Sequence, residues 1–143
     1  MKDLAIELGI SASEISESLN RSAIAGLISK DKKRLMKLAI LDFLEHGLRY
    51  VYPQMPGPRL RGVPTAHSAP PLSQEILSEE PYVWPYGEGT VRGESIEPLH
   101  PKVPEACLKD PAFHEYMALC DALRVGRARE KNMAIQELRN RLC

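Results

Sequence analysis

The sequence predicts an α+β protein that is mainly α: a helix-turn-helix at the N-terminus, a proline-rich middle with short strands or a hairpin, and a C-terminal helix pair. Three observations carry this expectation. All twelve prolines of the 143-residue chain lie between Pro53 and Pro111, so the outer segments can be continuous helix and the middle cannot. A capping box, Ser11-Ala12-Ser13-Glu14, follows Gly9 at the spacing of a tight turn between two helices. Asp110-Pro111 and Gly126 punctuate the last third as helix start and helix break. The expected organisation is 1–49 as the helix-turn-helix with a support helix, 50–103 as loop and short strands, and 104–143 as a helical region. Together they form one compact unit.

Taken in order, Lys2 to Leu8 reads as a short helix with Leu4, Ala5 and Leu8 on its apolar face, ended by Gly9. The next helix starts after Ser11. The Ser11 hydroxyl accepts from the Glu14 N–H, the Glu14 carboxylate reaches back to the Ser11 N–H, and Ile15 and Leu19 form an apolar i, i+4 pair. A third helix is expected from Lys32 to His46, with Leu35, Leu38, Ala39, Leu41 and Phe43 inward and Gly47 ending it. Gly26-Leu27-Ile28 reads as a short strand, but Lys30 to Arg34 follows immediately and leaves little room for a β-wing. In the middle, Arg49 to Tyr52 reads as a strand. Tyr82-Val83-Trp84 and Thr90-Val91-Arg92 read as the arms of a hairpin, and Pro56 to Pro71 as a loop. Beyond it, Pro104 to Leu108 is a short helix. Ala112 to Arg124 follows, capped by Asp110, with Phe113, Met117, Cys120 and Leu123 as its stripe. Ala128 to Leu142 is the last helix, contacting through Met133, Ile135, Leu138 and Leu142, and pairs antiparallel with the one before.

Composition narrows the function classes. No apolar run approaches the roughly 18 residues a membrane span needs, and Met1-Lys2-Asp3 leads straight into a helical pattern containing Glu7, unlike a signal peptide. Cys107, Cys120 and Cys143 are an odd, widely spaced set, expected as reduced thiols of a cytoplasmic protein rather than a disulfide framework. Lys and Arg number 19, as do Asp and Glu. Zero net charge counts against nucleic-acid binding, but the charge is not evenly spread. Lys30, Lys32, Lys33, Arg34 and Lys37 form a local basic cluster directly after the second helix, which can hold phosphates on a neutral chain.

The residue string from Leu4 to Arg21 meets the demands of a helix-turn-helix in order. Ala5 is small where the helices cross, Gly9 takes positive φ in the turn, Ile10 seals it, and Ile15 packs the second helix on the first. Ser18 departs from the pattern, standing where an apolar residue is usual. The second helix of such a motif enters the major groove. With Ile15 and Leu19 committed to packing, Ser11, Ser13, Ser16, Glu17, Asn20 and Arg21 remain for DNA. Asn20 suits adenine, and Arg21 a phosphate or guanine. Glu17 must accept from a cytosine amino group or turn away from the backbone. The chain begins within the first helix of the motif, so the expectation is that either the third helix, Lys32 to His46, supplies the support or the start is truncated relative to relatives. The alternative is a helical hairpin that only packs against the rest of the protein.

Residues 4–28 resemble the reading head of MarR-like and related small bacterial transcriptional regulators. Phe43-Leu44-Glu45-His46-Gly47, Arg61 to His67 and Val83-Trp84-Pro85 resemble a group of short bacterial proteins described as transcriptional regulators, some encoded beside nucleotidyltransferase-type toxin genes. The resemblance implies a self-regulating or antitoxin-like role. The residues and the resemblance together give the expectation of a sequence-specific regulator, a repressor of its own operon. It would bind double-stranded operator DNA as a homodimer, with no membrane, cofactor or metal. The alternative is an antitoxin or adaptor that grips a partner protein from the same operon, with DNA binding secondary or lost.

An enzyme is not expected. Cys107, His114 and Cys120 lack zinc spacing. His67, beside Thr65 and Ser68, has no identifiable third group to orient it as a base, and reads as a loop histidine bonded to backbone. Gly87-Glu88-Gly89 lacks the lysine and helix of a phosphate loop. Arg59, Arg61 and Arg92 can pair with Glu75, Glu79, Glu80 or Glu94, or contact DNA or a partner. Tyr82, Trp84 and Tyr86 read as a core anchor, with an interface as the alternative.

Overall fold

The computed structural model describes residues 2–77 and 80–143, without the Lys2 side chain. The protein is α+β and mainly α. Helices α1 (Lys2–Leu8) and α2 (Ala12–Ile24) come first, then α3 (Lys37–His46) and the single turn α4 (Leu48–Val51). Strand β1 (Arg59–Pro64) is followed by two 3₁₀ turns, Ala66–Ser68 and Leu72–Gln74, and then by β2 (Tyr82–Pro85) and β3 (Val91–Ser95). Helices α5 (Val103–Lys109), α6 (Pro111–Val125) and α7 (Ala128–Leu142) complete the chain. Among the described residues, no helix is long and apolar enough to cross a membrane.

The helix boundaries follow from local chemistry. Gly9 at φ 68° ends α1, and the Ile10 N–H reaches the Ala5 carbonyl at 3.1 Å, the long-range bond that closes a helix behind a left-handed residue. The Ser11 Oγ accepts from the Glu14 N–H at 3.2 Å, forming half of the expected capping box. Glu14 Oε2 lies 3.6 Å from His100 Nε2, so its carboxylate serves a contact with the loop before α5. Removing the cap through Ser11→Ala should cost about 1 kcal/mol in a chemical-denaturation midpoint. Asp110 caps α6 by accepting from the Phe113 N–H at 3.1 Å, with Pro111 in the first turn.

Several expectations change. Helix α3 begins at Lys37, because residues 27–36 form a small β-hairpin: Ile28 bridges Leu35, the Met36 N–H donates to the Leu27 carbonyl at 2.9 Å, and Ser29 N–H donates to Arg34 O at 2.9 Å. The chain therefore has the wing-like hairpin for which the sequence left little room. Leu35 and Leu38 are exposed rather than inward, and Leu41 is the buried residue of α3. Residues 48–51 are helical, not a strand, with Leu48 buried. The loop expected at 56–71 contains β1.

The sheet also differs from a simple hairpin. β1 runs antiparallel to both β2 and β3, which pair parallel with each other at Tyr82↔Glu94 and Val83↔Ser95. The three strands thus close on themselves. So narrow a closure leaves no space for side chains on its inner line. A Cβ on Gly62 would stand 1.8 Å from the Trp84 carbonyl oxygen, and one on Gly89 would stand 2.3 Å from the Gly62 oxygen.

Two clusters form the core. Leu119, Ala122 and Leu123 of α6 meet Ala134 and Leu138 of α7, with Leu41, Ala66, Leu72 and Ile76 around them. Val63, Trp84, Val103 and Cys107 form the second, joined by Tyr86, Phe113 and Met117. Trp84 is buried in the second cluster, with half-buried Tyr86 packed on it, and half-buried Tyr82 packs on the first cluster with its ring edge-on to His67, as expected of a core anchor. Helix α3 is tied to α7 by Glu45 with Arg139 at 3.3 Å.

Between the clusters runs a buried polar network centred on Asp121, itself 1% exposed. Asp121 Oδ2 accepts from the Thr65 hydroxyl at 2.7 Å and from Trp84 Nε1 at 2.6 Å, and Oδ1 from Arg124 Nη1 at 2.8 Å. Arg124 also donates to the Tyr52 and Glu97 carbonyls at 3.0 and 3.1 Å. One carboxylate thus links α6 to the end of β1, to β2 and, through Arg124, to two loops. Burial pushes its proton affinity above the ordinary carboxylate range, against the pull of the Thr65, Arg124 and Trp84 donors.

Candidate nucleic-acid interface

Helices α1 and α2 form the expected helix-turn-helix. Ile15 of α2 is 6% exposed, and Ala5, Leu8, Ile10 and Leu19 are half-buried. Support for the pair comes from α5, which packs on α1, whereas α3 packs on α7 and α4. Residues of α2 and α3, among them Ser22, Ala25, Ala39 and Phe43, line a shared cleft of about 570 Å³.

The polar side of α2 faces outward. Ser11, Ser13, Glu17, Asn20 and Arg21 are exposed, and Ser16 is half-buried. At about 100° per residue, Ser13, Ser16, Glu17, Asn20 and Arg21 share one sector of about 140°, opposite Ile15. Ile24, 88% exposed, falls in the same sector. The 13, 17, 20, 24 spacing was the available sign of its membership, but its apolar character reads as core.

The hairpin brings the basic cluster to this face. Lys32 Nζ donates to Asn20 Oδ1, so the tip touches the middle of the exposed α2 stripe. The tip is a turn closed by Lys32 N–H to Ser29 O at 2.9 Å, with Lys32 itself at φ 64°. That left-handed position ordinarily favours glycine. Asp31 is consumed by the turn: it accepts from the Ser29 hydroxyl and from the Lys33 N–H at 3.0 Å. These bonds hold its carboxyl below the usual range. Among the described residues, no acid pairs with the side chains of Arg21, Lys30, Lys33 or Arg34, all exposed. Lys37 stands at the start of α3, just beyond the hairpin.

The other candidate residues lie apart from this face. His67 is buried, with Nε2 3.0 Å from the Glu80 carbonyl, which is the backbone contact expected of it. Arg59 pairs with Glu80 at 2.5 Å, and Glu79 lies outside the described residues. Cys107, Cys120 and Cys143 are free, and burial pushes the Cys107 and Cys120 thiols up to about 12, leaving them protonated and unreactive at neutral pH. Among the described residues, no group of three or more His, Cys, Asp or Glu side chains is arranged to hold a metal ion. No family model, curated protein or solved structure matches this chain.

Proposed function

We propose that the protein is a sequence-specific DNA-binding transcription regulator, acting in the cytoplasm as a homodimer and repressing its own operon. One observation carries the reading: the exposed polar stripe of α2 lies against a hairpin tip whose cations are not spent on protein acids. Helix α2 would enter the major groove while Lys30, Lys33 and Arg34 hold flanking phosphates. A single reading head covers few base pairs, so a second copy on a repeated half-site supplies the remaining affinity.

The test is binding of the full chain to duplex DNA from upstream of its own gene across a salt series. The expected result is a linear fall of log affinity with log salt, and Arg21→Ala should flatten that slope by about 1 if Arg21 meets a phosphate. Affinity indifferent to salt would refute the reading.

A second reading rests on Tyr50, Val51, Tyr52 and Met55, which are 70%, 58%, 47% and 83% exposed in one short segment. An apolar surface of that kind suits a partner protein, as in an antitoxin or adaptor. It predicts that Asn20→Ala with Arg21→Ala leaves co-purification with a neighbouring gene product intact.

A further inference from the structure

Glu17 is the one acid in the centre of the α2 stripe, and the proposed docking mode gives it a problem to solve. Ser13 and Asn20 flank it one turn away on either side, and it is exposed. Among the described residues no hydrogen bond or ion pair engages its carboxylate. Arg21, at the i, i+4 spacing that favours an ion pair, leaves it free. A carboxylate presented to a duplex is repelled by the phosphates unless a base donates to it.

The major groove offers two amino donors, N4 of cytosine and N6 of adenine. Adenine N6 sits beside the acceptor N7, which repels a carboxylate oxygen. Cytosine has no acceptor next to N4 on its own groove edge. Asn20 supplies the complement: its Oδ1 already accepts from Lys32 Nζ, leaving its amide N–H groups to donate. An acceptor at Glu17 with a donor one turn on matches a C·G pair, whose guanine presents O6 and N7.

We infer that Glu17 and Asn20 together read a C·G pair, Glu17 accepting from the cytosine amino group, so that the half-site this protein prefers contains that pair at a fixed position. The inference rests on the docking of α2 proposed above. Selection of bound sequences from a randomised duplex library tests it, using the full chain alongside Glu17→Ala and Glu17→Gln. The wild-type chain should enrich C·G at one position, and changing that pair to A·T or T·A should weaken binding by about 10- to 100-fold. Glu17→Ala should weaken the preference there alone, since Asn20 still donates to the guanine, and should bind random duplex more tightly. Glu17→Gln should shift the position towards A·T, because a glutamine amide pairs with adenine. An alanine variant whose preference for that pair is undiminished would overturn the role of Glu17 and leave the docking reading standing. A wild-type chain that enriches no duplex overturns the docking reading, and this inference with it.

Discussion

Asp121→Ala should destabilise the protein by about 3–5 kcal/mol, a large part of the 5–15 kcal/mol typical of a folded domain. The change removes the acceptor of three donors at once. The Thr65 hydroxyl and Trp84 indole N–H would be left buried without partners, and Arg124 would keep its charge with only the Tyr52 and Glu97 carbonyls around it. Each stranded donor costs about 1–3 kcal/mol, and the buried guanidinium is the most expensive of them. Asp121→Asn can keep its one oxygen as acceptor for Trp84 and Thr65 while its amide hydrogens face Arg124, so its loss should be smaller than that of alanine. Equilibrium urea unfolding of the three proteins measures both. An alanine variant within about 1 kcal/mol of wild type would mean that the network is dispensable. A double-mutant cycle with Arg124→Ala would then apportion the pair, since the two side chains share partners and their effects will not add.

That network also shows where the sequence is hard to read. Asp121 sits between Cys120 and Ala122 in a helix with good caps, and nothing local separates a buried, triply bonded aspartate from a solvated one. Two of its three partners lie 37 and 56 residues away in the chain, and the third, Arg124, stands at i+3, an ordinary helix-surface spacing. Helix α7, by contrast, runs over the residues expected from Gly126 and the apolar spacing, because its ends are set by nearby residues. The α1–turn–α2 unit was legible for the same reason: Gly9, Ser11 and Ile15 each act within a few positions of themselves. Residues 49–52 misled because aromatic and β-branched side chains favour strands, while burial of Leu48 against the helical core selects one more turn of helix. Strand β1 carries Gly62 and ends at Pro64, which reads as loop. Only the close approach of β2, at Trp84 and Val83, explains the glycine. The hairpin at 27–36 was obscured because the left-handed residue in its turn is lysine, and the hydrogen bond from Lys32 to Asn20 spans twelve positions that no pattern connects.

Under the proposed docking of α2, the basic tip around that lysine carries the largest expected effect on DNA binding. Replacing Lys30, Lys32, Lys33 and Arg34 together by alanine should weaken duplex binding about a thousandfold near 0.15 M salt, since each lost phosphate contact forfeits its share of counterion release. The salt slope should fall by about 3–4 in the same experiment. The fold should survive, because the tip's backbone bonds among Ser29, Asp31, Lys33 and Arg34 do not use these side chains. Lys32→Gly separates function from folding more sharply. Glycine takes φ 64° without the roughly 1 kcal/mol that a side chain costs there, so this variant should be as stable as wild type or more so. It should nevertheless bind DNA less tightly, having lost a cation and the hydrogen bond that holds Asn20. A glycine variant that melts no lower and binds operator equally well would show that Lys32 serves neither. A lysine held at a left-handed position, with its charge delivered to the face of α2, is the arrangement the proposed docking calls for, and this pair of measurements tests it.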